Sequence, residues 1–88
     1  MHKYKDTIIR EYFDEVDQSM GWVELYKAHQ DLTVNCEVTI PELTVADLLT
    51  YVVKELNLKL HSIIIDEVEE IVILTRPVSD EEIINDCK

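Results

Sequence analysis

The chain has 88 residues, enough for one domain, and its apolar fraction of 47% is normal for a folded protein and too high for a disordered tail. Nineteen Asp and Glu against eight Lys and Arg give a formal net charge of −11. This balance argues against direct binding to nucleic acid, which needs a basic surface, and against binding to an anionic membrane.

The first ten residues are charged and lack the apolar stretch of a secretory signal. The longest apolar runs, 63–65 and 71–74, are far shorter than the roughly 20 residues that span a bilayer. Cys36 and Cys87 are the only cysteines, fewer than a secreted disulfide-built domain usually carries. We therefore expect a cytoplasmic protein in which Cys36 is a buried, unreactive residue.

Residues 7–19 are predicted to form a helix with Asp6 as its N-cap. Gly21, the only glycine, stands where a left-handed residue ends such a helix. The apolar face of this helix consists of Ile8, Ile9, Tyr12, Phe13 and Val16.

Two strands are predicted next, at 22–28 and 32–40, joined by a hairpin loop at 29–31. The second alternates cleanly between apolar and polar residues. Its apolar positions are Leu32, Val34, Cys36, Val38 and Ile40.

Thr44 is predicted to cap a helix at 45–57 that ends at Asn57, with Asp47 in its first turn. Two more strands follow, at 60–65 and 71–75, and both are apolar on both faces, so both faces need a cover. We expect helix 45–57 on one face and another helix or a second copy of the protein on the other. Ser79 opens a last short helix through Cys87.

The sum is a single α+β domain over residues 1–88 in the order αββαββα, with helices packed on a mainly antiparallel sheet of about four strands. Residues 34–58 carry the phrase Thr44-Val45-Ala46-Asp47-Leu48-Leu49 after a strand and a proline-containing loop. This arrangement resembles the β-grasp (ubiquitin-like) fold, which implies the order ββαββ. Carrier members of that family end in Gly-Gly, whereas this chain ends Asn85-Asp86-Cys87-Lys88, so carrier chemistry is not implied.

Catalytic and metal-binding patterns are missing from the sequence. One glycine rules out a glycine-rich phosphate loop, and the serines have local structural explanations. The histidines His2, His29 and His61 are scattered, and the acidic run at 66–70 lacks the spacing of a calcium loop. We expect no enzyme, no metal and no cofactor.

The acidic residues are concentrated in two segments, 11–17 and 66–70, where no helix cap explains them. Aromatic residues, which are enriched at the centres of interfaces, lie between them in the chain. The candidate partner-binding residues are Glu11, Asp14, Glu15, Asp17, Trp22, Tyr26, Asp66, Glu67, Glu69 and Glu70, with Tyr51 as a further aromatic.

The leading hypothesis is a small acidic, non-catalytic binding protein that inhibits or masks a basic, nucleic-acid-binding protein by mimicking the charge of DNA. In length, acidity and mixed α/β content the chain is similar to small phage-encoded inhibitors such as uracil-DNA glycosylase inhibitor and anti-CRISPR proteins. That similarity implies a phage or mobile-element source and action in the host cytoplasm. The alternatives are acidity that serves solubility alone, with Trp22 in the core, a ubiquitin-like adaptor module, and a homodimeric assembly subunit paired through its isoleucine-rich strands.

Overall fold

The computed structural model describes the backbone of residues 2–86 and the side chains from residue 4 onwards. Helices and strands are mixed along this part of the chain. In chain order they are α1 (His2–Gln18), β1 (Trp22–Glu24), α2 (Leu25–Gln30), α3 (Val45–Thr50), β2 (Lys59–Ile65), β3 (Val68–Leu74) and α4 (Asp80–Asp86). Helices α2 and α3 each continue as a π-helical segment, Asp31–Asn35 and Tyr51–Glu55. The α+β class is confirmed.

The sheet has three antiparallel strands in the order β1-β3-β2. The long hairpin β2–β3 supplies most of it, and the short strand β1 pairs only with the end of β3, from Glu24 opposite Val72 to Trp22 opposite Leu74. A fourth strand is not found among residues 2–86. Because β1 is three residues long, the half of the hairpin nearest its turn extends beyond β1.

Helix α1 begins earlier than predicted, at His2, so Asp6 lies inside the helix rather than at its N-cap. There its carboxylate forms an exposed ion pair with Arg10 one turn later, at 2.9 Å. The predicted stop at Gly21 is confirmed: the residue has a φ of 80°, and its N–H donates to the carbonyl of Val16 at 2.8 Å. The chain then turns directly into β1.

The predicted strand at 32–40 is wrong, and so are the last residues of the strand predicted at 22–28. Residues 25–35 are helical instead, because Leu25, Ala28 and Leu32 fall on one helix face and are all buried. The alternative strand face would have buried Val34, which is 70% exposed. The hairpin that a β-grasp fold places before its helix is therefore not formed, and α2 with its π-helical segment occupies that part of the chain.

Two of the three predicted helix caps are confirmed. Thr44 accepts a hydrogen bond through Oγ1 from the backbone N–H of Asp47 at 3.0 Å, and Ser79 accepts one through Oγ from the N–H of Glu82 at 3.2 Å. Asn57 has a φ of 54°, as expected of a residue that follows a helix. The predicted end of the last helix at Cys87 lies outside the described residues.

The sheet separates two apolar clusters. On one face Val23 and Ile73 pack with buried side chains of the first three helices, such as Phe13 and Leu48. On the other face, Trp22, Ile63 and Val72 pack around Ile83 of α4. The second cover expected from the apolar strands is therefore a helix of the same chain.

Candidate partner-binding site

The turn of the β2–β3 hairpin presents two carboxylates to solvent. Asp66 and Glu67 form a two-residue turn, with φ values of 51° and 69°. Positive φ at both positions is the geometry of a type I′ turn, which Asn-Gly adopts at least cost. The chain instead places Asp and Glu there, and both are exposed.

The other two acids of this run lie on strand β3 rather than in a loop, because the strand begins at Val68. Glu69 and Glu70 point to opposite faces of the hairpin, since side chains alternate along a strand. Glu69 is exposed and accepts a hydrogen bond from Ser62 Oγ at 2.9 Å, whereas Glu70 is half-buried opposite Ile63. The acidic run is thus distributed over the turn and both faces; we call Asp66, Glu67, Glu69 and Glu70 together the hairpin tip.

An exposed apolar surface adjoins the hairpin tip, at positions where the apolar strand pattern predicts burial. Leu60, Ile64 and Ile71 lie on the same sheet face as Ile73 and are 41%, 65% and 46% exposed. Both hairpin faces were expected to be covered, which is wrong at these three positions. We call these three residues the hairpin face; Glu69 lies among them, directly opposite Ile64.

The acidic residues of α1 form a separate surface. Glu11, Asp14 and Glu15 are exposed on the helix. Asp17 has a structural role instead: its carboxylate accepts a hydrogen bond from Thr75 Oγ1 at 3.0 Å, and its carbonyl accepts one from Arg76 at 2.7 Å. Thr75 follows the end of β3 that is remote from the turn, so Asp17 and the hairpin tip lie about 17 Å or more apart along the strand. The structure does not bring the two acidic groups together.

The candidate aromatic residues differ in exposure. Trp22 is 5% exposed and donates its indole N–H to Asp86 Oδ2 at 3.2 Å. It therefore lies in the core, as the alternative interpretation of the sequence predicts. Tyr51 is half-buried and packs against the larger apolar cluster. Tyr26, on α2, is 78% exposed and is available for contact with another molecule.

Tyr12 and Cys36 border an open groove between α1 and the π-helical segment that follows α2. The Tyr12 hydroxyl donates to Asp31 Oδ2 at 2.7 Å, and burial together with this carboxylate raises the pKa of Tyr12 far above its ordinary value. Burial, assisted by Asp31 and Glu15, also raises the pKa of the Cys36 thiol. Both groups hold their protons at neutral pH, although Cys36 is only half-buried rather than buried as predicted.

Among the side chains described, those of residues 4–86, no three His, Cys, Asp or Glu converge in a way that would hold a metal ion. None of the described helices has the length and apolar character needed to cross a membrane. Comparisons with protein families, with curated proteins and with solved structures found no match to this chain. The candidate binding site is therefore the hairpin tip together with the adjoining hairpin face.

Proposed function

We propose that this protein is a small, non-catalytic binding protein that inhibits or masks a basic, nucleic-acid-binding protein, with the hairpin as its binding element. The observation that supports this most directly is the exposure of Asp66, Glu67 and Glu69 next to the exposed Ile64 and Ile71. Carboxylates of this kind attract a surface that evolved to hold phosphates, and the apolar side chains supply contact area once the two proteins meet.

The backbone of the turn supports a role beyond folding. A residue other than glycine at positive φ costs about 1–2 kcal/mol relative to an ordinary conformation, and here two consecutive residues, Asp66 and Glu67, have positive φ. Asn and Gly would form the same turn with less strain but would remove both charges. The choice of two carboxylates therefore favours binding over local stability.

Mimicry of DNA charge is the mechanism we propose for inhibition. A net charge of −11 on 88 residues creates a long-range field that accelerates association with a basic partner and repels nucleic acid. The hairpin tip then occupies part of the surface that the partner uses for phosphates. We place this activity in the cytoplasm, and in the host cytoplasm if the protein is encoded by a phage or mobile element.

The test is affinity capture from the DNA-cellulose-binding fraction of a native host lysate. We expect capture of a basic protein at about 0.1 M salt and its loss at about 0.5 M, since screening shortens the reach of charges from about 10 Å to a few ångströms. A duplex DNA competitor should also displace it.

Two triple variants carry the same change of charge. The tip variant, with Glu67→Lys, Glu69→Lys and Glu70→Lys, should lose the captured protein. The control variant, with the exposed acids Glu11, Asp14 and Glu15 of α1 changed to Lys, should retain most of it. Wild-type capture by a folded tip variant, checked by circular dichroism, would contradict the proposal.

The hairpin face favours a second candidate function, an interaction or adaptor module that binds through apolar contact. Leu60, Ile64 and Ile71 expose a larger apolar surface than a purely electrostatic contact needs. Binding of this kind would persist at about 0.5 M salt, where charge attraction is largely screened, and would be lost in an Ile64→Ser variant. The same capture experiment thus separates the two functions.

A further inference from the structure

The outer edge of strand β2 is open. Within residues 2–86 the sheet order β1-β3-β2 leaves no strand beside it, so a row of backbone N–H and C=O groups along Lys59–Ile65 faces outward. Monomeric proteins usually protect such an edge with proline, a bulge, a very short strand or a row of charges. Strand β2 is seven residues long, is paired to β3 without a bulge, and contains no proline and no acid.

No acid lies within this edge strand. Acidic residues outnumber basic ones nineteen to eight overall, yet the only formally charged residue of Lys59–Ile65 is Lys59. Carboxylates reach the strand only from neighbouring elements, Asp80 at His61 Nε2 (2.6 Å) and Glu69 at Ser62 Oγ (2.9 Å), so the strand itself carries no acid that would repel a second copy.

We propose that a second copy of this chain pairs with the first, β2 against β2, antiparallel about a twofold axis at Ser62. Such pairing satisfies the open backbone groups of both copies and joins the two sheets into one of six strands, as expected of an isologous interface. It sets Leu60 of each copy opposite Ile64 of the other, on the hairpin face where both are exposed. An axis at His61 or Ile63 would set Leu60 opposite Ser62 or Asp66 instead, and would lose this apolar pair.

Charge complementarity supports the same register. Lys59 and Asp66 stand at the two ends of β2, about 20 Å apart within one chain, too far to interact directly. In the proposed pair, Lys59 of one copy lies opposite Ile65 of the other, next to that copy's Asp66. The twofold axis repeats this contact, so Lys59 and Asp66, which do not reach each other within one chain, form two ion pairs between chains.

This pairing does not depend on the proposed function, because it uses the edge of β2; of the hairpin tip it engages only Asp66, and the exposed Glu67 and Glu69 stay free. It also enlarges the apolar surface, since Leu60, Ile64 and Ile71 of both copies adjoin on one side of the joined sheet. Dimer formation is tested with the purified chain alone, so a negative result for the dimer and a negative result for partner capture are distinguishable.

The first experiment places a cysteine on the axis. In a Cys36→Ser, Cys87→Ser background, Ser62→Cys brings two thiols face to face, because directly opposite Cβ atoms lie about 4.5–5.5 Å apart, near the span of a disulfide. Leu60→Cys is the matched control, since its two copies would lie about 14 Å apart along the paired strands. We expect air oxidation to convert most of the first variant, and little of the second, to a covalent dimer on a non-reducing gel. Equal cross-linking of both, or none of either, would overturn the register.

The second experiment exchanges the charges. Sedimentation velocity of the wild type should show a species of twice the 10.3 kDa chain mass at micromolar concentration. Lys59→Glu alone and Asp66→Lys alone should each weaken the dimer about tenfold, and the double variant should restore it, because only contacts between chains join these positions. A wild type that remains at 10.3 kDa up to about 100 μM, far above the range expected of a specific dimer, would overturn the proposal and leave the edge open to a strand of another protein. Failure of the double variant to recover, with the fold checked by circular dichroism, would also overturn it.

Discussion

Replacement of Ile83 by alanine is expected to release helix α4 from the sheet. The helix has only seven residues, and isolated helices shorter than about 12 residues are marginal in water. Its attachment therefore depends on packing, and Ile83, with none of its surface exposed, is its one fully buried side chain among the described residues.

The magnitude follows from the burial. The change removes three carbon atoms, worth about 0.8 kcal/mol each, and leaves a cavity against Ile63 and Val72, so the total cost is about 3–4 kcal/mol. A domain of this size is stable by about 4–13 kcal/mol. We expect the loss to detach α4 first rather than to unfold the whole chain, because the larger apolar cluster on the other face of the sheet is intact.

Trp22, the only tryptophan, reports this event directly, since it packs against Ile83 and donates to Asp86 of the same helix. In the Ile83→Ala variant, its fluorescence should shift to the red at lower urea concentration than the loss of helical circular dichroism. The exposed position Asn85 on the same helix supplies the control, and Asn85→Ala should leave the two transitions coincident. A cost below about 1 kcal/mol for Ile83→Ala, small for a core isoleucine, with coincident transitions would refute the reasoning.

Three other predictions test local structure. Replacing Asp66-Glu67 by Asn-Gly should raise the urea midpoint, by about 1 kcal/mol of unfolding free energy, because both positions have positive φ; an unchanged midpoint would show that the turn is not strained. Stability should fall as the pH rises through about 9–10, because folded Cys36 and Tyr12, whose pKa values are both raised, keep protons that the unfolded chain releases; a flat profile to about pH 11 would contradict this. Gly21→Ala should cost at least about 1–2 kcal/mol in urea unfolding, since φ is 80° and the added Cβ would lie 2.6 Å from Arg76 Nε; a neutral effect would show that both the backbone and that side chain relax freely.

Structural features that depend only on neighbouring residues were predictable from the sequence. The caps at Thr44 and Ser79 and the stop at Gly21 depend on side chains and backbone groups within one helical turn, and all three are found where they were expected. The two apolar strands of the hairpin were likewise recognisable from their isoleucines. Local backbone geometry determines helix caps and helix stops, so they do not depend on tertiary contacts.

The segment from Leu25 to Ile40 was not predictable, because it carries two incompatible periodicities. Leu25, Ala28 and Leu32 suit a helix, whereas the alternation from Leu32 onwards suits a strand. The structure buries the helical set and leaves Val34 exposed, while Ile40 is buried after an irregular stretch, its N–H donating to the carbonyl of Leu32 at 2.7 Å. Packing against α1 and α3 decides between the periodicities, and a single sequence does not contain that information.

The same limit applies to the candidate site. The acidic run at 66–70 was evident in the sequence, but the exposed hairpin face was not, because both strands look equally apolar along their length. Ile64 and Ile71 lie beyond the end of β1, which flanks β3 only at Val72–Leu74, and Leu60 lies on the outer strand β2, which no other strand flanks within residues 2–86. The length of a neighbouring strand is a tertiary property, so the site emerges only from the assembled sheet.

The net charge of −11 makes the two proposed interactions respond to salt in opposite directions. Association with a basic partner is driven by attraction, so it weakens as ionic strength rises. Pairing of two copies brings like charges together, and the two ion pairs at Lys59 and Asp66 offset only part of that repulsion, so the dimer should strengthen between about 0.05 M and 0.5 M salt. A chain that dimerises more tightly in high salt while releasing its partner therefore uses the β2 edge for one association and the hairpin tip for the other, with only Asp66 common to both. If both associations weaken together, attraction between acidic and basic residues dominates the self-association, which the two Lys59–Asp66 pairs alone do not account for, and the edge of β2 is not its interface.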